Sequence, residues 1–339
     1  MSRLYAEAGV DLAGAEAAKQ RIARLVLTTR TGFSVGEVGS FAGMVRLPEG
    51  MRRPVLVLST DGVGTKVLVA REAGRLDTVG EDLVNHAVND ILVHGARPLA
   101  FQDYVAGSAL SADATVAIVE GVARGCVAHD MVLAGGETAQ MPDLYRPGEF
   151  DLAGTILGVV EEAEAIHGDR IVPGDVLLGY ASTGLHTNGY SLARRVLFES
   201  LALRLDSVLE SGLGTVADAL LAIHRSYELA LRPVLPSVHG LAHITGGGIP
   251  GNLIRMLPAD CAAVVDPHAW PEPPLFRVLR QGGGISDAEM REVFNLGIGM
   301  IAVLPRDAAE PVRIAASAAG VETWLIGEVT RGERSVRFG

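Results

Sequence analysis

Four acids stand where chemistry is most easily done: Asp61, Asp90, Asp103 and Glu137 each lie at or near the end of a sequence-predicted element, next to glycine, amide or hydroxyl residues. Asp61 sits in Ser59-Thr60-Asp61-Gly62-Val63-Gly64-Thr65-Lys66. Gly62 and Gly64 allow backbone N–H groups to approach phosphate oxygens, Thr65 and Lys66 open a helical stretch, and Lys66 supplies a point charge. Asp90 follows Asn89 on a predicted helix that stops at Gly95, with Pro98 beyond. Asp103 lies at the end of an apolar run, and Glu137 stands in Gly135-Gly136-Glu137-Thr138, directly after another. Singly, each reads as a loop or cap acid. Together they form a set of hard oxygen ligands of the kind that holds Mg²⁺ against nucleotide phosphates. Phosphoryl transfer asks mainly for positioning and charge neutralisation, which such a set supplies. The candidate metal ligands are therefore Asp61, Asp90, Asp103 and Glu137. Lys66 joins Asp61 and Asp90 as a catalytic candidate, and Gly62, Gly64, Thr65, Asn89, Asp103 and Gly135–Thr138 are the nucleotide contacts.

The second half carries two glycine-rich segments, each between a predicted strand and a helix. Ser182-Thr183-Gly184-Leu185-His186-Thr187-Asn188-Gly189 places Thr187 or Asn188 as an N-cap, with exposed N–H groups beyond it. His243-Ile244-Thr245-Gly246-Gly247-Gly248-Ile249-Pro250 puts three consecutive glycines before a helix start marked by proline. A capped turn would look the same. As phosphate cradles, Asn188, Gly189 and Thr245–Gly248 are the candidate substrate contacts, and His186 is the candidate acid or base.

Elements that could hold these segments alternate along the chain. Helical periodicity marks 13–27, 76–93, 112–129, 191–200 and 216–231, with a short helix at 252–257. Strand-length apolar runs mark 55–59, 99–105, 132–134, 152–160, 176–181, 241–244, 262–265, 298–304 and 323–329. The class is α/β (α+β mixed). Turn residues gather around 166–175, so two domains are expected, 1–168 for nucleotide and metal and 169–339 for the substrate side.

Bulk properties remove other classes. With 40 acids against 29 bases the formal charge is −11, which disfavours nucleic acid and anionic membranes as partners. No apolar run reaches membrane-spanning length, and residues 1–12 lack a signal-peptide core. Cys126 and Cys261 lie in apolar surroundings with no C-x-x-C, as expected of reduced thiols in a cytoplasmic protein. No Gly-Lys pair exists, so there is no Walker A loop. Gly297-Ile298-Gly299-Met300-Ile301-Ala302 fits a dinucleotide string but leads into a strand instead of leaving one. His86, Asp90 and His94 share a helix face at zinc-like spacing, without an evident fourth ligand.

Taken in order, these segments resemble the aminoimidazole ribonucleotide synthetase family over nearly the whole chain. The resemblance runs through Tyr5-Ala6-Glu7-Ala8-Gly9-Val10-Asp11, Thr60–Lys66, Asn89–Pro98, Asp103-Tyr104, Gly135–Pro142, His186–Leu192, His243–Gly248 and Phe294–Met300. It implies an N-terminal mixed sheet with helices on one face, two subunits pairing through that sheet to form a barrel, and a C-terminal α/β domain. It also implies use of ATP and Mg²⁺ to close the imidazole ring of formylglycinamidine ribonucleotide: the formamide oxygen is phosphorylated and a nitrogen of the same molecule then displaces phosphate. The family departs from this chain where Ser108-Ala109-Leu110 replaces Gly-Lys-Leu and where the loop Gly36–Gly43 is poorer in glycine. Within the wider superfamily, a small-molecule kinase, selenophosphate synthetase or a non-catalytic nucleotide-binding scaffold are the rival readings. No cysteine before Cys126 speaks against selenophosphate synthetase.

Overall fold

The computed structural model describes residues 12–37, 39–209 and 212–339. The opening Tyr5–Asp11 segment lies outside the described residues. The chain divides into two compact units, Met1–Ile91 with Arg97–Glu161, and Leu92–Ala96 with Glu162–Gly339.

The first unit contains, in order, α1 (Leu12–Thr28), the two-residue strands β1 (Ser34–Val35) and β2 (Met44–Val45), β3 (Pro54–Gly62), α2 (Lys66–Ala73), α3 (Asp77–Leu92), β4 (Arg97–Gly107), α4 (Ala112–Ala128), β5 (Val132–Gln140) and β6 (Phe150–Glu161). The sheet order is β3-β6-β4-β5. β4 and β5 are parallel and joined through α4, while β6 is antiparallel to both of its neighbours, so the sheet is mixed. β3 alternates: Val57, Ser59 and Asp61 are half-buried, whereas Leu56, Leu58 and Thr60 are exposed. One face therefore packs on helices and the other does not. α3 and α4 cross at glycines. A Cβ on Gly80 would stand 2.1 Å from the Ile118 carbonyl oxygen, and one on Gly121 would stand 1.9 Å from that of Asp77.

The second unit contains β7 (Val176–Ala181), α5 (Tyr190–Arg194, continued by a π-turn over Arg195–Ser200), α6 (Val216–Leu220), α7 (Glu228–Leu231), β8 (Gly240–His243), α8 (Gly248–Leu253), β9 (Cys261–Val265), α9 (Pro274–Gly283), α10 (Asp287–Val293), β10 (Ile298–Leu304), α11 (Ala309–Ala318), β11 (Thr323–Arg331) and β12 (Ser335–Phe338). Its sheet order is β12-β9-β11-β7-β10-β8. Every residue of β10 is buried. Val176, Leu178, Tyr180, Met300, Ala302 and Leu304 enter one apolar core, while Leu177, Ile301 and Val303 enter a second on the opposite face. A strand covered on both sides has to be apolar throughout, which is why these runs show no alternation.

Several sequence expectations need correction. Gly135–Thr138 is not a loop after a strand: β5 continues to Gln140, because β4 offers a parallel backbone ladder from Gln102 to Gly107 that pairs these residues despite their weak strand propensity. The helix expected over 216–231 is two short helices. Where the first ends, the Tyr190 hydroxyl donates to the Leu220 carbonyl and Thr183 Oγ1 to that of Ile223, so side chains take carbonyls that a continuous helix would need. The short helix expected at 252–257 starts earlier, at Gly248. The helices at 274–283, 287–293 and 309–318 are additional to those read from the sequence.

Candidate active site

In the first unit, strand β3 and helix α3 bring Asp61 and Asp90 together. Ser59 Oγ donates to Asp90 Oδ2 at 3.1 Å and lies 3.4 Å from Asp61 Oδ2. His86 Nε2 is 3.7 Å from Asp61 Oδ2 and 3.5 Å from Asp90 Oδ2. Burial first, and then the adjacent Asp90, push the Asp61 carboxyl up to about 7; the Ser59 hydroxyl opposes that rise. Two carboxylates this close resist ionising together, and a divalent cation between them would relieve the repulsion. The oxygen donors fit Mg²⁺. His94 leaves the His86–Asp90–His94 stripe, its Nδ1 instead meeting the Ile166 carbonyl at 3.1 Å.

Asp103 belongs to the same row of the sheet. Asp61 pairs with Gly154, Gly154 with Asp103, and Asp103 with Gly136, so the two acids are two strands apart, about 10 Å, on one face. Gly154 and Gly136 leave the row open. A Cβ on Gly136 would come within 2.2 Å of Asp103 Oδ1, and one on Gly154 within 2.3 Å of the Phe101 ring. Burial raises the Asp103 carboxyl to about 7.

Asp103 also lines a cavity of about 740 Å³ enclosed by α1, the β1–β2 segment and β5, within the range of small-molecule sites. Gly135, Gly136, Glu137 and Thr138 line the same cavity. Glu137 pairs with Tyr104, so alternation sends it to the sheet face opposite Asp103. Of the four acids, then, two meet directly, and the other two share a cavity wall.

The remaining nucleotide candidates are placed differently. Gly62 ends β3, and Gly64, at φ 56°, makes the turn into α2. Thr65 is the N-cap position of α2 and makes no side-chain cap bond. Lys66 is fully buried with its Nζ 2.7 Å from Asp82 Oδ2, itself 0% exposed. Burial lowers the Lys66 pKa and Asp82 raises it. Asn89 is likewise 0% exposed.

In the second unit the two glycine segments lie side by side. β7 and β8 are each antiparallel to β10, hence parallel to each other, and both segments leave their C-terminal ends. A Cβ on Gly246 would sit 3.5 Å from Asn188 Oδ1. The N-cap of α5 is Gly189, at φ 78°, not Thr187 or Asn188. A side chain there would meet the Phe294 ring at 2.4 Å. Gly247 and Gly248 also have positive φ, and Gly248 packs against the Arg291 carbonyl. His186 is 1% exposed and held at φ 58°, a left-handed conformation that costs a non-glycine residue energy and often marks a functional position.

Several residues that build these sites are not among the candidate site residues read from the sequence. Ser59 and His86 connect the paired acids. Asn252 Nδ2 donates to the carbonyls of Gly248 at 2.8 Å and Gly246 at 3.2 Å. Asn295 Nδ2 donates to the Gly184 carbonyl at 2.8 Å and its Oδ1 accepts from the Gly297 N–H at 2.9 Å. Gly299 gives up a side chain to make room: a Cβ would stand 2.5 Å from His186 Cε1 and 2.1 Å from the Tyr227 hydroxyl.

The comparisons agree with this organisation. The N-terminal domain family of AIR synthase related proteins matches residues 39–160, and the C-terminal domain family matches residues 172–339. The phosphoribosylformylglycinamidine cyclo-ligase of Sorangium cellulosum is 48% identical over 334 residues, covering 97% of this chain and 96% of that protein. Among solved structures, thiamine-monophosphate kinase from Stenotrophomonas maltophilia matches with a TM-score of 0.69 at 19% identity over 95% of each chain. Hydrogenase maturation protein HypE in complex with ATP matches at 0.62 and 19% identity, over 94% of this chain and 88% of that one. These last two share the fold. Matched along both domains and nearly its whole length, the chain belongs to the AIR synthase related family and, within it, to the phosphoribosylformylglycinamidine cyclo-ligases.

Proposed function

We propose that this protein closes the imidazole ring of 5-aminoimidazole ribonucleotide from formylglycinamidine ribonucleotide, using ATP and releasing ADP and phosphate, in purine biosynthesis. The observation that carries the reading is the division of equipment. Acids that suit a metal–nucleotide complex stand on one unit, and paired glycine loops that suit a phosphorylated substrate stand on the other. Transfer of the γ-phosphoryl group to the formamide oxygen converts it into a leaving group. The neighbouring nitrogen of the same molecule then bonds to that carbon as phosphate departs. Nucleophile and electrophile share one molecule, so no covalent nucleophile is needed from the protein.

Asp61 and Asp90 would hold Mg²⁺, which when bound supplies charge neutralisation at the phosphates. Asp103 and Glu137, with Gly135, Gly136 and Thr138, line the cavity that suits the nucleotide. Gly62, Gly64, Thr65 and Asn89 shape the backbone around the paired acids, and the buried Lys66–Asp82 pair anchors the start of α2. Asn188, Gly189 and Thr245–Gly248 would offer backbone and amide donors to the substrate phosphate, and His186 would be the acid or base. The uncovered sheet face of the first unit, with Leu56 49%, Leu58 65% and Tyr104 39% exposed, suits a second copy of the chain, as in a homodimer. No helix among the described residues is long and apolar enough to cross a membrane, and a cytoplasmic setting suits the two buried thiols.

The test is a turnover assay with formylglycinamidine ribonucleotide, ATP and Mg²⁺, following the aminoimidazole product. Asp90→Ala is expected to lose nearly all turnover with the fold retained. A folded parent protein that makes no product would overturn the proposed activity, and near-parental turnover by the variant would overturn the metal assignment.

A further inference from the structure

A third buried histidine joins the two substrate-side loops, and no motif includes it. His224 lies in the irregular segment between α6 and α7 and is 0% exposed. Its ring stacks on His186, with centroids 4.0 Å apart and planes at 21°. Its Nδ1 is 3.3 Å from Thr187 Oγ1, on the first loop, and its Nε2 is 3.1 Å from Nε2 of His243, which immediately precedes the second loop. Each contact constrains protons. His186 Nε2 accepts the Thr183 backbone N–H at 3.2 Å, so neutral His186 carries its proton on Nδ1. The His224–His243 contact joins two nitrogens of the same kind and needs one proton between them. If His224 Nε2 donates, its Nδ1 accepts from the Thr187 hydroxyl and His243 is protonated on Nδ1. If His243 Nε2 donates, His224 is protonated on Nδ1 and donates to Thr187. The tautomer of His243 is therefore tied, through His224, to the orientation of the Thr187 hydroxyl.

We infer that His224 is a positioning residue: it ties the tautomer of His243 to the Thr187 hydroxyl and locks the His186–Gly189 loop to the Thr245–Gly248 loop, so that the two loops present their donors to the substrate together. Space for the stack is provided by Gly299, whose missing side chain admits the His186 ring and the Tyr227 hydroxyl. The Tyr227 hydroxyl donates to the Ala181 carbonyl at 3.0 Å and pins the far end of the 221–227 segment to β7. The inference rests on the reading of these two loops as the substrate side.

Three substitutions separate hydrogen bonding from packing. His224→Phe keeps a stacked ring without either hydrogen bond, His224→Gln keeps an amide at the Nε2 position, and His224→Asn keeps one at the Nδ1 position. Steady-state kinetics of each with formylglycinamidine ribonucleotide and ATP are compared with the parent. The expected result is that His224→Phe loses at least about tenfold in kcat/KM for the ribonucleotide with KM for ATP unchanged, and that His224→Gln recovers most of the loss. Equal or higher activity of His224→Phe than of His224→Gln would mean that only packing matters and would overturn the inference.

Histidine-selective ¹⁵N NMR of the parent chain at pH 7.5 provides a second arm that needs no variant to fold. One of the His224 and His243 Nε2 atoms is expected to be protonated and the other bare. Two averaging, solvent-like imidazoles would sink the idea. A parent chain without cyclo-ligase turnover would remove the functional reading, and the NMR arm would then decide the contact by itself.

Discussion

Replacing Asp103 by asparagine should stabilise the protein at alkaline pH and hardly at all at acid pH. Asp103 is 8% exposed, and burial lifts its carboxyl from the ordinary 3.8 to about 7, so the folded state holds the proton more tightly than the unfolded chain does. The sign follows from that difference. The contribution of the bound proton is complete below about pH 3.8, declines as pH rises, and is lost once pH passes through about 7. At about 1.4 kcal/mol for each tenfold ratio, the ionised carboxylate costs the fold roughly 4 kcal/mol, of which roughly 2.5 kcal/mol appears between pH 5 and pH 8. Asparagine has nearly the same shape and no charge to lose, so this part of the pH dependence should vanish in Asp103→Asn. The measurement is urea denaturation followed by circular dichroism, with chelator present, for parent and variant at both pH values. A stability difference between them that does not change from pH 5 to pH 8 would refute the burial argument.

Lys66→Met should destabilise the first unit by about 3–5 kcal/mol, because it removes the ammonium group paired with the buried Asp82 carboxylate, and adding Asp82→Leu should return most of that in the same denaturation assay. If Leu58 faces a second subunit, Leu58→Lys should shift the protein toward monomer, read by light scattering on a sizing column; an unchanged mass would remove the sheet face from the dimer proposal. Asn252→Ala frees the carbonyls of Gly246 and Gly248, and loss of about 1.4 kcal/mol of loop order should raise KM for the ribonucleotide roughly tenfold while KM for ATP stays put.

The fold was legible wherever burial is two-sided or glycine marks an exit. β7 and β10 have the bounds that their apolar runs suggest, Val176–Ala181 and Ile298–Leu304, because both faces of that sheet are covered. Gly135–Thr138 misleads, since its strand character comes from β4 and not from its own residues. Segment 220–227 misleads in the opposite sense: it reads as helix in the sequence, but the Tyr190 and Thr183 side chains claim the Leu220 and Ile223 carbonyls. At the sites, acids and glycines announce themselves by gathering near the ends of the elements that the sequence suggests. Ser59, His86 and His224 do not, because each meets a partner far along the chain that only tertiary structure brings there; Asn252 does not, because its partners, the Gly246 and Gly248 carbonyls, are backbone atoms that no residue type marks. Lys66 shows the limit of motif reading most clearly. Beside glycine and threonine it looks like a phosphate ligand, yet its ammonium group meets a carboxylate on the next helix.

The row Asp61–Gly154–Asp103–Gly136 determines what kinds of sequence change the first unit can absorb. The interval between the two acids is counted in strands, through backbone hydrogen bonds, and owes little to the side chains around it. Drift among the apolar residues beneath the sheet leaves that interval alone. Inserting or deleting one residue within β3 or β4 would turn an acid to the opposite face, so these strands should tolerate substitution and reject changes of length.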